Sequence, residues 1–204
     1  MARDRDVAPF ERRSGSYEQD PFAGWHAEVT RRMSDTVLAS APAPGRALDV
    51  GCGTGALLRL LADRLPEAVE LVGVDPARGM LAAGRSHPGL DPRIHLVQAH
   101  AERLPFAAGS FDLVVSTTSF DHWADQVRGL EECARVLGEG GRLMLADLFA
   151  GWLAPTTLLG RRSRARTVPQ ATRLLVAAGF RDLSWRRLYE LGPLPLVQAV
   201  VARR

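Results

Sequence analysis

The residues best suited to chemistry lie in one short stretch, Leu48-Asp-Val-Gly51-Cys-Gly53-Thr-Gly55, and in an acid twenty positions beyond it, Asp75. Glycines at 51, 53 and 55 permit a tight turn and let a ligand lie against bare backbone. An acid at the end of the following strand is placed to accept hydrogen bonds from both hydroxyls of a ribose. The order strand, glycine loop, helix, strand, acid therefore predicts a nucleoside site. Gly51-x-Gly53-x-x-Ala56 also matches the dinucleotide fingerprint with Ala in the third place. Asp49 argues against that ligand, because a carboxylate beside the loop repels a pyrophosphate. The same carboxylate favours a ligand that carries an ammonium or a sulfonium. The structural alternative for Asp49 is a partner for the following helix dipole.

A loop of this kind needs a parallel sheet to hold it, and the chain supplies the pattern. Strands are expected at 46–50, 69–74, 94–98, 111–116 and 142–148, with helices at 56–65, 77–86 and 125–137 between them. Such alternation implies βαβ units with helices on both faces of the sheet. Ahead of them Phe22, Trp25, Val29, Met33, Val37 and Leu38 recur at helical spacing over residues 20–40, in a helix interrupted near Gly24. Near the end, Thr167-Val-Pro-Gln170 fits a capping box, and Gly179 fits the helix end. Strands at 181–189 and 194–202 are joined too closely for a crossover and should pair antiparallel. The fold class is α/β: a Rossmann-like three-layer sandwich whose seven-stranded, mostly parallel sheet has a reversed last strand. Residues 1–16 read as a loose tail, and 17–204 as one domain with an N-terminal helical lid and an insertion at 150–166.

From about Tyr17 onward the chain resembles the class I S-adenosylmethionine-dependent methyltransferases. It is most similar to the small-molecule, type 11 group that includes the ubiquinone/menaquinone C-methyltransferases. The glycine loop resembles the first motif of that family, and Val72-Gly-Val-Asp75-Pro-Ala-Arg-Gly-Met80 its second. His100-Ala-Glu-Arg-Leu-Pro-Phe106 is similar to the adenine-side motif, Phe111-Asp-Leu-Val-Val-Ser116 to the fourth strand, and Arg135-Val-Leu-Gly-Glu-Gly-Gly-Arg142 to the turn into the fifth. The resemblance implies that Gly51, Cys52 and Gly53 line the methionine part of the cofactor and that Asp75 holds the ribose. Pro76 and Met80 would cover the adenine, with His100, Ala101 and Glu102 along its edge. Gly55 completes the loop. The family usually has Asp where His100 stands. A neutral His accepts one hydrogen bond through one ring nitrogen, so either His100 takes that role or the role passes to backbone. Glu139 replaces a common Pro in a structural turn. Cys52 reads as a small packing residue rather than a nucleophile.

Methyl transfer from a sulfonium is an in-line displacement that holds the acceptor on the methyl axis, excludes water and sometimes removes a proton. The loop after the fourth strand, Ser116-Thr-Thr-Ser-Phe-Asp121-His122-Trp123, is the place for it. His122 is the best base candidate, with Asp121 as its partner or as the base itself. Alternatively Asp121 caps the next helix and His122 is wall. Thr117 or Ser119 is placed to meet the methionine end, and Trp123 to face the acceptor. Tyr17, Trp25 and His26 could form a lid or simply pack an N-terminal helix. Arg161, Arg162, Arg164 and Arg166 in the insertion either meet an anionic acceptor or form a solvated loop.

Composition bounds the rest. A chain of 204 residues suits one domain, no apolar run approaches a membrane span, and the charged N-terminus is not a secretory leader. Two isolated cysteines give neither a disulfide framework nor metal-ligand spacing, and a cytoplasmic protein is expected. The net charge of +3, carried without any Lys, is too weak to imply nucleic acid. Nor does the fourth-strand loop contain the Asn/Asp-Pro-Pro-aromatic turn of exocyclic base amine methyltransferases. The expected ligands are thus S-adenosyl-L-methionine and a small-molecule acceptor. A nucleic-acid methyltransferase and a non-catalytic cofactor-binding module are the competing readings.

Overall fold

The computed structural model describes residues 3–19, 21–41, 44–150 and 167–204, with 3–6 described by backbone alone. Seven strands form one sheet: β1 (Arg46–Val50), β2 (Glu70–Asp75), β3 (Ile94–Gln98), β4 (Phe111–Thr117), β5 (Leu137–Asp147), β6 (Arg181–Leu191) and β7 (Leu194–Arg203). Their order is β3-β2-β1-β4-β5-β7-β6. The first five strands are parallel, and β7 runs antiparallel to both its neighbours, β5 and β6. The reversed strand thus sits inside the sheet, and its hairpin partner β6 forms the edge.

Alternate residues of each strand feed two cores, as a period of two requires. Ala47, Leu71, Leu113, Val115 and Met144 pack with Val29, Met33 and Val37 of α2 (Ala23–Ser40) and with Leu57, Leu58 and Leu61 of α3 (Ala56–Ala62). Leu48, Val72, Val114, Leu143 and Leu145 pack on the other face with Leu130, Cys133 and Val136 of α5 (Gln126–Val136) and with Ala171 and Leu175 of α6 (Val168–Ala177). The expected capping box of α6 is present. Helix α4 (Arg78–Arg85) follows β2 and buries Met80 and Leu81.

Three expectations need correction. Of the stretch read as a loose tail, Arg3–Arg13 form helix α1. Its Glu11 carboxylate accepts from the backbone N–H groups of Arg78 and Gly79 at 2.6 and 2.8 Å, satisfying the open start of α4. Gly24 lies in the first turn of α2 and does not interrupt it. Strand β5 begins at Leu137 rather than at 142, because Leu137 pairs with Phe111 before the register shifts to Leu113 with Arg142. The insertion at 150–166, with Arg161, Arg162, Arg164 and Arg166, lies outside the described residues apart from Ala150.

Helix α4 seats closely on the glycine loop. A methyl group at Gly84 would stand 2.6 Å from the Thr54 carbonyl oxygen and 2.9 Å from Leu96 Cδ1. Gly84→Ala is therefore expected to lower stability by about 1–3 kcal/mol, because backbone cannot yield as a side-chain tip can. Gly24→Ala, with nothing within 4 Å of the added methyl, should leave stability unchanged or raise it. Thermal unfolding of both variants checks this, and equal melting temperatures would contradict the packing.

Candidate functional site: a cofactor cavity at the strand ends

The turn after β1 is held by backbone bonds from Gly51 N–H and Cys52 N–H to the Val74 carbonyl at 2.8 and 3.0 Å. Gly51 has φ +78°, and a Cβ there would lie 2.3 Å from Ser119 Oγ, so only glycine fits. Gly55, at φ +79°, starts α3. The Ser119 hydroxyl joins this loop to the one after β4. It donates to the Val50 carbonyl at 2.9 Å, lies 2.7 Å from Ser116 Oγ, and accepts from Trp123 Nε1 at 3.3 Å.

Asp75 closes the loop from β2. Its Oδ2 accepts from Gly53 N–H at 2.9 Å and its Oδ1 from Ala77 N–H at 2.8 Å. Burial pushes its carboxyl up, and the two N–H bonds oppose that shift. Asp49 is more extreme. It is 3% exposed, and its carboxyl accepts no hydrogen bond among the described residues. Burial, and then the neighbouring Asp75, push its carboxyl to about 8. Burial, and then the same two acids, raise the Cys52 thiol, so it is no nucleophile.

A cavity of about 710 Å³ opens above this loop. Its walls include Asp49, Gly51, Cys52, Gly53, Asp75, Pro76 and Met80 on the nucleoside side. His100, Ala101 and Glu102 after β3, and Thr117, His122 and Trp123 after β4, complete it together with Tyr17 and His26. Thr117 Oγ1 is buried there with no hydrogen-bond partner.

Gly55, Trp25 and Asp121 are not in the wall. Gly55 serves the backbone turn. Trp25 packs against the core under α2, with its ring 6.3 Å from that of Tyr189, so it is no lid. Asp121 stands behind His122, its Oδ1 3.3 Å from His122 Nε2. Nor does Asp121 cap the next helix, since Asp125 does so by accepting from Arg128 N–H at 3.0 Å. Glu102 is in the wall, but its Oε1 accepts from Asp125 N–H at 2.9 Å and so helps to set the start of α5.

Several residues that the sequence does not flag complete the site. Glu18, in the short 3-10 turn Tyr17–Gln19, accepts from Thr54 Oγ1 at 2.6 Å and from Arg59 at 2.8 Å, which clamps the N-terminal segment onto the glycine loop. Phe10 of α1 lines the cavity with its ring 4.9 Å from that of His122. The Tyr17 ring lies 5.5 Å from the His26 ring, and burial raises the Tyr17 hydroxyl and lowers the His26 imidazole. No local pattern announces these contacts, which join residues far apart in the chain.

A carboxyl that is buried, unpaired and beside a second acid is relieved by a cationic ligand, and the orphaned Thr117 hydroxyl offers such a ligand a bond. The set fits an adenosyl sulfonium compound. Comparison with known proteins agrees. Residues 48–145 match the family described as "Methyltransferase domain". The chain is 36% identical over 182 residues to a malonyl-[acyl-carrier protein] O-methyltransferase of Geobacter sulfurreducens, covering 83% of this chain and 68% of that one. It is 40% identical over 124 residues to a demethylmenaquinone methyltransferase of Thermus thermophilus, covering 59% of this chain and 55% of that one. The fold matches a possible histamine N-methyltransferase of Thermotoga maritima with a TM-score of 0.72 and 21% identity, over 95% of this chain and 97% of that one. The chain belongs to the S-adenosylmethionine-dependent methyltransferases.

The elevated Asp49 value carries a stability consequence. Between its ordinary 3.8 and about 8, the folded chain keeps a proton that the unfolded chain has lost. The associated stability is therefore full below about 4 and lost as pH rises to about 8. Asp49→Asn should thus raise the melting temperature of the unliganded protein, with a gain that grows from pH 5.5 to 8.5. Scanning calorimetry showing a gain independent of pH would contradict the burial of an unpaired carboxyl.

Proposed function

We propose that this chain transfers a methyl group from S-adenosyl-L-methionine to a small-molecule acceptor that loses a proton from oxygen, nitrogen or carbon. One observation carries the reading: a single cavity joins the buried Asp49 and Asp75 carboxyls to the His122–Asp121 pair. The names of the curated relatives, which concern a malonyl group on its carrier protein and a demethylmenaquinone, support an acceptor of this size.

Asp75 holds the ribose hydroxyls, with lone pairs left beyond its two N–H bonds. Pro76 and Met80 cover the adenine, and His100, Ala101 and Glu102 border its edge. Gly51, Cys52, Gly53 and Thr117 line the methionine portion, and Asp49 favours its positive charge. When bound, the cofactor supplies an electrophilic methyl on a sulfonium. Asp121 Oδ1, 3.3 Å from His122 Nε2, orients the imidazole that takes the acceptor proton. Tyr17, His26 and Phe10 shield the cavity, and Trp123 walls the acceptor side. The chain works in the cytoplasm, a reading that its two free, buried cysteines support.

Two variants separate cofactor from base. Asp75→Ala is expected to weaken S-adenosylmethionine binding by about 1–3 kcal/mol in calorimetry, and unchanged affinity would remove Asp75 from the ribose. His122→Ala is expected to lower turnover by roughly 10²–10⁴-fold with cofactor affinity unchanged, once screening with labelled cofactor has found an acceptor. Full turnover in that variant would strip His122 of its role.

A further inference from the structure

Among the described residues, two that are not glycine have left-handed backbone: Asp182 at φ +54° and Thr118 at φ +51°. Asp182 is exposed at an irregularity of the edge strand β6, and a short acid enters this region at modest cost. Thr118 is different, because a β-branched side chain is poorly tolerated there and the conformation is strained. It also lies in the wall of the cavity, where nothing so far gives it a task. The bend has an identifiable cause. Strand β4 runs between β5 and β1. Thr118 N–H donates to the Ala146 carbonyl at 2.8 Å, which extends the β4–β5 ladder one residue past Thr117. The next residue is held on the opposite side. Ser119 Oγ donates to the Val50 carbonyl of β1 at 2.9 Å, and a Cβ on Gly51 would lie 2.5 Å from Ser119 Cβ. The chain therefore turns from one neighbouring strand to the other within a single residue.

Glycine would make that turn without strain. The chain instead carries a half-buried threonine, whose hydroxyl bonds to nothing among the described residues. Strain of this kind persists at sites where a side chain is needed in place. We propose that Thr118 is a specificity-determining residue for the acceptor: its hydroxyl meets a hydrogen-bonding group next to the atom that is methylated. Thr117, on the strand itself, serves the methionine end of the cofactor. Thr118 stands one step beyond the strand end, at the start of the turn that carries His122 and Trp123, and so serves the acceptor. The acceptor class that fits has an oxygen or nitrogen function adjacent to the reacting atom. One that is apolar there would cover the hydroxyl and leave it unbonded, which a hydrogen-bonding site rejects. The proposal rests on the methyl-transfer reading, and it holds whether or not His122 is the base.

The test uses the full chain and labelled S-adenosylmethionine, screened against phenols, amines and carbonyl compounds, with variants compared on the best acceptor. Thr118→Val keeps the branched shape and removes the hydroxyl. It is expected to raise the acceptor KM about tenfold, with a smaller fall in kcat and no change in S-adenosylmethionine affinity by calorimetry. Thr118→Ser restores the hydroxyl and should recover most of the loss, which a purely steric role would not allow. An unchanged KM in Thr118→Val would overturn the proposal. Weakened cofactor binding would overturn it too, by placing the hydroxyl on the cofactor. Thr118→Gly relieves the bend and should melt no lower than the parent, and a clearly lower melting temperature would refute the strain. Asp182→Gly, outside the cavity, should leave KM in place, and a matching rise there would count against a local contact. Should Thr118→Val fail to fold, Thr118→Ala makes the same comparison with Thr118→Ser. Turnover by the parent with an unaltered Thr118→Val defeats this proposal alone. Cofactor binding by the parent without transfer to any acceptor in the panel defeats the methyl-transfer reading, and the proposal with it.

Discussion

The site depends on the cost of placing two carboxyl groups, Asp49 and Asp75, beneath the same glycine turn and away from water. Among the described residues neither has a basic side chain bonded to it. Asp75 is eased by two backbone N–H donors, whereas Asp49 has only its own proton to offset burial. Such a pair is unfavourable in the empty protein and becomes favourable when a cation enters. The preference for a sulfonium ligand over a pyrophosphate follows from this arrangement, since a phosphate would add a further negative charge.

The remaining structure converts that electrostatic seat into a place for a reaction. Ser119 ties the acceptor loop to the glycine loop through one hydroxyl, so the two halves of the cavity are mutually located. Glu11 and Glu18 bring the N-terminal segment over the opening by satisfying groups that are otherwise exposed: the start of α4, and Thr54 with Arg59. Acids thus serve three purposes here. Some face the ligand, some dock the covering segment, and Asp147, at the end of β5, accepts from the Asp121 N–H in the turn that carries His122.

What the sequence reveals follows from distance along the chain. The glycine loop, Asp49 and Asp75 are legible because strand, turn and helix follow one another locally and each leaves its own residue pattern. The reversed β7 is legible because two residues cannot span a crossover. Helix α1 is not, since its charged sequence owes its place to contacts far along the chain, among them Glu11 at the start of α4 and Phe10 against the His122 ring. Asp121 and Asp125 are both possible caps in the sequence, and the structure separates them by placing Asp121 in a 3-10 turn and Asp125 at the start of α5. Trp25 and His26 are adjacent, yet the helix rotates one toward the core and the other toward the cavity. Asp147 lies at a strand end like Asp75, but its partner comes from a turn whose path no local pattern predicts.

The central claim is that a protonated Asp49 ionises when the cationic cofactor binds. Calorimetric titration of S-adenosylmethionine at pH 7, repeated in buffers of different ionisation enthalpy, counts the protons exchanged. The parent protein should release about one proton more per ligand than Asp49→Asn. Identical proton counts in the two proteins would show that Asp49 does not answer the ligand's charge.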